Sequence, residues 1–185
     1  MTRKDVLYRR AEKEDYAGIL RLQSANYIAN LPQQERREGF LSAEFTPEQL
    51  ATLATDLGIT VALDAGNVAG YLCAFRNDFN HGSPVLEKML ESYDRVQFNG
   101  QPLNSYSSYI YGPVCISREY RRRGILRGLY DVQKRDLAGQ FEIGVAFVSR
   151  DNPHSLTAHL AGLGMTGVGD FEANGKVYVI LAFVL

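Results

Sequence analysis

At 185 residues, with 45% apolar and 22% charged side chains, the chain has the length and composition of one globular domain with a substantial core. Its 20 basic and 21 acidic residues give a formal charge of -1, which lends little electrostatic support to whole-molecule attraction to a polyanion and leaves room for local basic clusters. No segment is apolar for the length of a membrane span, and residues 1–10 lack the apolar core of a secretory leader, so the expected setting is the cytoplasm.

Taken in chain order, Val6–Tyr8 reads as a short first strand, and Asp15 is placed to cap a helix carrying Ile19, Leu20 and Leu22. That helix breaks near Leu31-Pro32. Thr46-Pro47-Glu48-Gln49 is a stronger start signal, with threonine as cap, proline in the first turn and glutamine at the capping-box position. Leu50, Leu53, Ala54 and Leu57 follow on one face until Gly58. Ile59–Leu63 and Val68–Phe75 read as strands joined by a hairpin at Asp64-Ala65-Gly66-Asn67.

Residues 76–107 are longer than a simple connection and read as a partly helical insertion that covers or shapes a site, with a helix opening at Ser83-Pro84. Tyr109–Ser117 is the central strand candidate, followed by a helix over 124–138 and a further strand over 141–148. This βαβ unit predicts two parallel strands. Asn152-Pro153 opens a late helix running through Leu160, and two terminal strands meet at Asn174-Gly175. The expected fold class is α/β, one domain spanning 1–185, with a mixed central sheet and helices on both faces.

The chemistry concentrates in Val114–Leu126, where a strand runs into Arg121-Arg122-Arg123-Gly124 and then a helix. A helix start offers N–H groups to a phosphate, arginines supply charge, and Gly124 permits close backbone approach. Three arginines in a turn also suit a plain solvated face. Neither a Walker motif nor a complete Gly-x-Gly-x-x-Gly fingerprint is present, which weakens an ATPase or dehydrogenase reading. The cysteines, Cys73 and Cys115, lie in apolar runs and suit buried reduced thiols. The three histidines do not cluster with them at metal-ligand spacing, and no Gly-x-Ser-x-Gly elbow occurs.

Val114–Leu126 resembles the acyl-coenzyme-A-binding motif of the GCN5-related N-acetyltransferase (GNAT) superfamily, Arg/Gln-x-x-Gly-x-Gly/Ala, with Leu126 in place of the usual small final residue. The stretch Asn152-Pro-His-Ser-Leu-Thr-Ala-His159 with Leu163-Gly164 is similar to the family's late Asn-x-x-Ala/Ser helix and terminal glycine. One extra residue precedes Gly164, and His159 stands where tyrosine is usual.

The resemblance implies an acyl-CoA N-acyltransferase type of fold and transfer of an acetyl group from acetyl-coenzyme A to an amine. Val114 and Ile116 would supply cofactor-facing backbone, with the Val114 N–H as donor to the thioester oxygen. Arg121, Arg122, Arg123, Gly124, Ile125 and Leu126 would surround the diphosphate, with Asn152 and Ser155 completing the cofactor site. His159 is the candidate acid for the departing thiolate, or else a packing residue. Asn26, Tyr27 and Asn30 would line the acceptor pocket. Tyr109 and Tyr111, which share a strand face, are either substrate contacts or ordinary strand residues. His154 is expected to face solvent, and His81 is a weak substrate-contact candidate.

The expected partner is a small-molecule primary amine, without nucleic acid or membrane, and a homodimer is compatible with the sequence. The alternative is a non-catalytic acyl-CoA-binding or regulatory module.

Overall fold

Local sequence signals set most of the element boundaries in the computed structural model, which describes residues 6–41, 44–79 and 82–185. Two compact units share the chain: Met1–Phe75 with Gly112–Asp136, and Arg76–Tyr111 with Leu137–Leu185. His81 and the first five residues lie outside the described residues.

In the first unit, strands β1 (Leu7–Arg10), β2 (Ile59–Asp64) and β3 (Asn67–Arg76) pair antiparallel, and β3 neighbours β6 (Ser108–Ile116). The hairpin between β2 and β3 turns on Ala65 and Gly66, with φ of 50° and 82°. Two left-handed central residues match the twist of the strands they join. Helix α1 (Tyr16–Asn26) begins differently from expectation. Asp15 does not cap it; its carboxylate accepts from the Glu12 N–H at 2.7 Å and from the Arg9 guanidinium at 2.6 and 3.1 Å.

Helix α2 (Pro47–Thr55) starts as its sequence dictates. The Gln49 N–H donates to Thr46 Oγ1 and the Thr46 N–H to Gln49 Oε1, closing a reciprocal cap. At its far end Arg10 donates to the carbonyls of Ala54 and Asp56, a cation at the negative end of the helix.

Of helix α4 (Ile125–Leu137), Ile125, Leu129, Tyr130 and Leu137 are buried. Gln133 is buried in the same stripe, its Nε2 donating to the Leu72 carbonyl at 3.4 Å.

In the second unit the strand order is β6, β7 (Ile143–Ser149), β9 (Lys176–Val184) and β8 (Thr166–Ala173). β6 and β7 run parallel, Ser108 opposite Ile143 through Ile110 opposite Val145, as the βαβ reading predicts. β9 is antiparallel to both of its neighbours, so the sheet is mixed. Gly144 leaves the space that the Phe183 ring fills across the β7–β9 pair.

The insertion folds as helix α3 (Pro84–Leu90) and a two-stranded ribbon of β4 (Gln97–Phe98) and β5 (Gln101–Pro102), with Leu86, Met89, Tyr93, Phe98 and Leu103 buried. Within its unit it packs on β8, where Val96 closes on Gly169. The insertion therefore covers the strand at the end of the sheet order, a position otherwise open to further pairing.

Candidate active site

The basic turn is built on strand β6. Pro113 has no N–H, so Val114 carries the first main-chain donor after Gly112. Cys115 is buried toward α1, its Sγ 3.8 Å from the Leu22 carbonyl, while Val114 and Ile116 alternate with it and are half-buried. Burial pushes the Cys115 thiol up to about 12, with Arg121 acting in the opposite sense, and it raises the Cys73 thiol as well. Both remain neutral thiols near pH 7 and are poor nucleophiles.

Beyond the strand, Arg121 Nε donates to the Ile116 carbonyl at 3.2 Å and Nη2 to Asn26 Oδ1 at 2.8 Å. Arg122 takes a left-handed φ of 60°, a conformation that costs a non-glycine residue about 1 kcal/mol or more. Arg123 stacks over the Tyr120 ring at 5.7 Å, and the Tyr120 hydroxyl donates to Asp64 Oδ2 at 2.7 Å.

Gly124 has φ of 83°, and nothing lies within 4 Å of where a Cβ would stand. The N–H groups of Ile125 and Leu126 fall in the first turn of α4, ahead of its regular intrahelical bonds. Left-handed glycine, open space, a helix start of adequate length and three guanidinium groups fit a diphosphate.

The second group of residues sits on helix α5 (Pro153–Thr157) and a π-helical turn, Ala158–Gly162, that continues it. A π turn absorbs one additional residue without ending the helix. Gly164, beyond this turn, has φ of 77°. Asn152 caps α5, its Oδ1 accepting from the Ser155 N–H at 3.3 Å.

His159 is 3% exposed, its ring edge-on to Tyr111 with centroids 5.5 Å apart. Its Nδ1 lies 2.7 Å from the Ser155 carbonyl oxygen and 3.4 Å from Ser155 Oγ. A carbonyl only accepts, so Nδ1 carries the hydrogen. Burial lowers the pKa of the ring from its ordinary 6.5, with the Ser155 bond acting the other way, so the neutral ring has its lone pair on Nε2. The acid role expected for His159 requires the protonated ring, which carries a hydrogen on Nε2 as well as on Nδ1.

The residues expected to line the acceptor pocket have defined surroundings in the fold. Asn26 is buried, with Oδ1 accepting from Arg121 and Nδ2 donating to the Leu22 carbonyl, so it braces the basic turn. Asn30 donates to the carbonyl and hydroxyl of Ser24, finishing the end of α1. Tyr27 bridges to Leu41 and is half-buried. Tyr109 is 0% exposed between Phe141 and Phe183, with no surface left for an acceptor. Tyr111 shares that face, touching Phe183 as well as His159. His154 is exposed, as expected.

The bracing by Asn26 and by Asp64 escaped sequence reasoning, because each partner is far away in the chain.

No family model matches the chain, and no curated protein matches its sequence. Solved structures do match it. An N-acetyltransferase from Staphylococcus aureus Mu50 superposes with a TM-score of 0.65 at 16% identity, covering 97% of this chain and 98% of that one. The ribosomal-protein-alanine N-acetyltransferase of Brucella melitensis gives 0.62 at 15% identity, over 97% and 99%. The protein yncA of Salmonella typhimurium, solved with its cofactor acetyl-CoA, gives 0.59 at 17% identity, over 97% and 93%. With its mixed sheet, parallel β6–β7 pair and flanking helices, the chain has the fold of the GNAT superfamily.

Proposed function

We propose that the protein is an acetyltransferase that moves the acetyl group of acetyl-coenzyme A to a primary amine of a small molecule. The observation that carries this reading is the turn Arg121–Leu126. There an open left-handed glycine and a helix start adjoin a guanidinium held by Asn26. Acetyl-coenzyme A bound there would supply an acyl carbon activated as a thioester. Arg121, Arg122 and Arg123 would neutralise its phosphates, and the backbone of Gly124, Ile125 and Leu126 would donate to them. Val114 and Ile116 would offer backbone to the rest of the cofactor. The Val114 N–H is the proposed donor to negative charge developing on the acyl oxygen.

A near-neutral composition supports a small acceptor over nucleic acid or a long basic peptide. Among the described residues no helix is long and apolar enough to cross a membrane. The proposed setting is cytoplasmic. One matched structure is named for acetylating the alanine of a ribosomal protein, so peptide N-termini belong among the acceptors tested.

Calorimetric titration with acetyl-coenzyme A tests the cofactor half of the reading. A mass-spectrometric screen of amino acids, polyamines, aminoglycosides and peptide N-termini tests the transfer half. Absence of binding at millimolar cofactor to folded protein would remove the reading. Binding without transfer to any acceptor would establish the alternative, an acyl-CoA-binding or regulatory module.

A further inference from the structure

We propose that Arg118 is a fourth phosphate-binding guanidinium of the basic turn, that Glu35 pairs with it until a phosphate arrives, and that the exchange frees the loop carrying Glu35. The inference rests on the acetyl-coenzyme A reading and adds to it a residue that lies outside Arg121–Leu126.

The chain enters the basic turn through a 3-10 turn, Arg118–Tyr120, closed by the Arg121 N–H donating to the Arg118 carbonyl at 3.3 Å. Residues i and i+3 eclipse in this geometry, so Arg118 and Arg121 leave the backbone on the same side. Their partners agree with that placement. Arg121 reaches Asn26 at the end of α1, and Arg118 Nη2 reaches Glu35 Oε2 at 2.9 Å in the loop that follows α1. Arg118 therefore stands beside a guanidinium already proposed for the phosphates.

The loop is closed at its neck and lightly held at its tip. The Ile28 N–H donates to the Leu41 carbonyl and the Leu41 N–H to the Asn26 carbonyl, each at 2.9 Å, so residues 28–40 leave and return at one point. Toward the tip the backbone bonds are local turns, the Glu35 N–H to the Pro32 carbonyl and the Gly39 N–H to the Arg36 carbonyl. No residue from Ile28 to Arg36 is buried. A segment with local bonds and little buried surface lies at the low-stability end of a fold.

The ion pair at the tip is suited to exchange. Its side chains are 58% and 39% exposed, and a pair so exposed contributes little to stability. A phosphate is the stronger partner for a guanidinium, because it carries more charge and accepts bidentate bonds. A diphosphate on Arg121 also brings negative charge toward the Glu35 carboxylate and repels it. Both effects turn Arg118 to the ligand and release Glu35 with the loop tip. By linkage, the factor by which coenzyme A favours the free loop equals the factor by which freeing the loop favours coenzyme A.

Trypsin reads the loop through the Arg36–Arg37 bond, with the fragments 1–36 and 37–185 identified by mass. Coenzyme A is expected to speed that cleavage in the native protein by about two- to fivefold, the range of an exposed ion pair, since cleavage follows the open fraction. Glu35→Gln should be cleaved faster without ligand, respond no further to coenzyme A, and bind it about two- to fivefold more tightly in calorimetry. Arg118→Gln should be cleaved as fast as Glu35→Gln and bind coenzyme A at least about twofold more weakly. Glu119, whose carboxylate lies 3.4 Å from the Ser117 hydroxyl, is the control for charge alone. Glu119→Gln removes a like charge from the same turn and should leave cleavage at the native rate.

Slower or unchanged cleavage with coenzyme A bound, full affinity in Arg118→Gln, or a Glu119→Gln variant cleaved like Glu35→Gln overturns the proposal and leaves the acetyl-coenzyme A reading standing. No binding of millimolar coenzyme A to the native protein removes that reading and this proposal with it.

Discussion

Arg121 Nη2 donates to Asn26 Oδ1 at 2.8 Å, joining the basic turn to the last residue of α1. The same asparagine donates to the Leu22 carbonyl, so its amide is fixed from both ends. An arginine held in this way presents its charge without having to be ordered when an anion arrives, which lowers the entropic cost of binding.

Asn26→Ala removes that brace. The expected outcome is a loss of about 1–2 kcal/mol in unfolding free energy by urea titration. Acetyl-coenzyme A affinity should weaken by about fivefold in calorimetry, near the value of one hydrogen bond. Full affinity in a destabilised variant would mean that Arg121 serves the fold and not the phosphates.

Gly124 and Gly66 form a matched pair for separating strain from function. Their φ values are 83° and 82°, and each has open space at the Cβ position. Valine at either site should cost about 1–2 kcal/mol of stability, the penalty of a left-handed branched residue. Only Gly124→Val should weaken cofactor binding by more than about tenfold, because only there would the side chain obstruct a ligand. Similar affinities for the two variants would place the cofactor elsewhere.

The buried His159 ring gives stability a pH dependence of defined sign. Desolvation lowers its folded pKa below the ordinary 6.5, so the unfolded chain binds the proton more readily. This contribution is fully present above about pH 6.5 and is lost as pH falls from there through the folded value. Unfolding free energies measured at pH 7.5 and pH 5 should therefore fall more steeply for the native protein than for His159→Gln. Parallel slopes would show that the ring is solvated in the folded state.

Tyr71, fully buried on β3, has a hydroxyl without a hydrogen-bond partner among the described residues. Tyr71→Phe removes the unsatisfied group and keeps the ring. The melting temperature should stay level or rise, by the equivalent of up to about 1 kcal/mol. A fall of 2 kcal/mol or more would reveal a bond to a buried water that the hydroxyl makes in solution.

What the sequence determined by itself was local. The Thr46–Gln49 cap, the Asp64–Asn67 hairpin and the Asn152 cap each involve residues at most three apart, and their chemistry leaves few alternative conformations. The parallel β6–β7 pair followed almost as directly, because a strand, helix and strand in succession have one favoured handedness. The π turn at Ala158–Gly162 is visible only in the folded helix.

Tertiary structure decided how the polar side chains are used. Asn26 reaches a residue 95 positions away, and Tyr120 one 56 positions away. Asp15, which looked like the cap of α1, accepts instead from the Glu12 N–H ahead of that helix and from Arg9, because one buried carboxylate has acceptor sites for both. Tyr109 and Tyr111 alternate identically along one strand, yet the first is enclosed by Phe141 and Phe183 while the second meets His159. Period-two spacing assigns a side chain to a face of the sheet, and only the elements packed on that face determine whether it meets core or site.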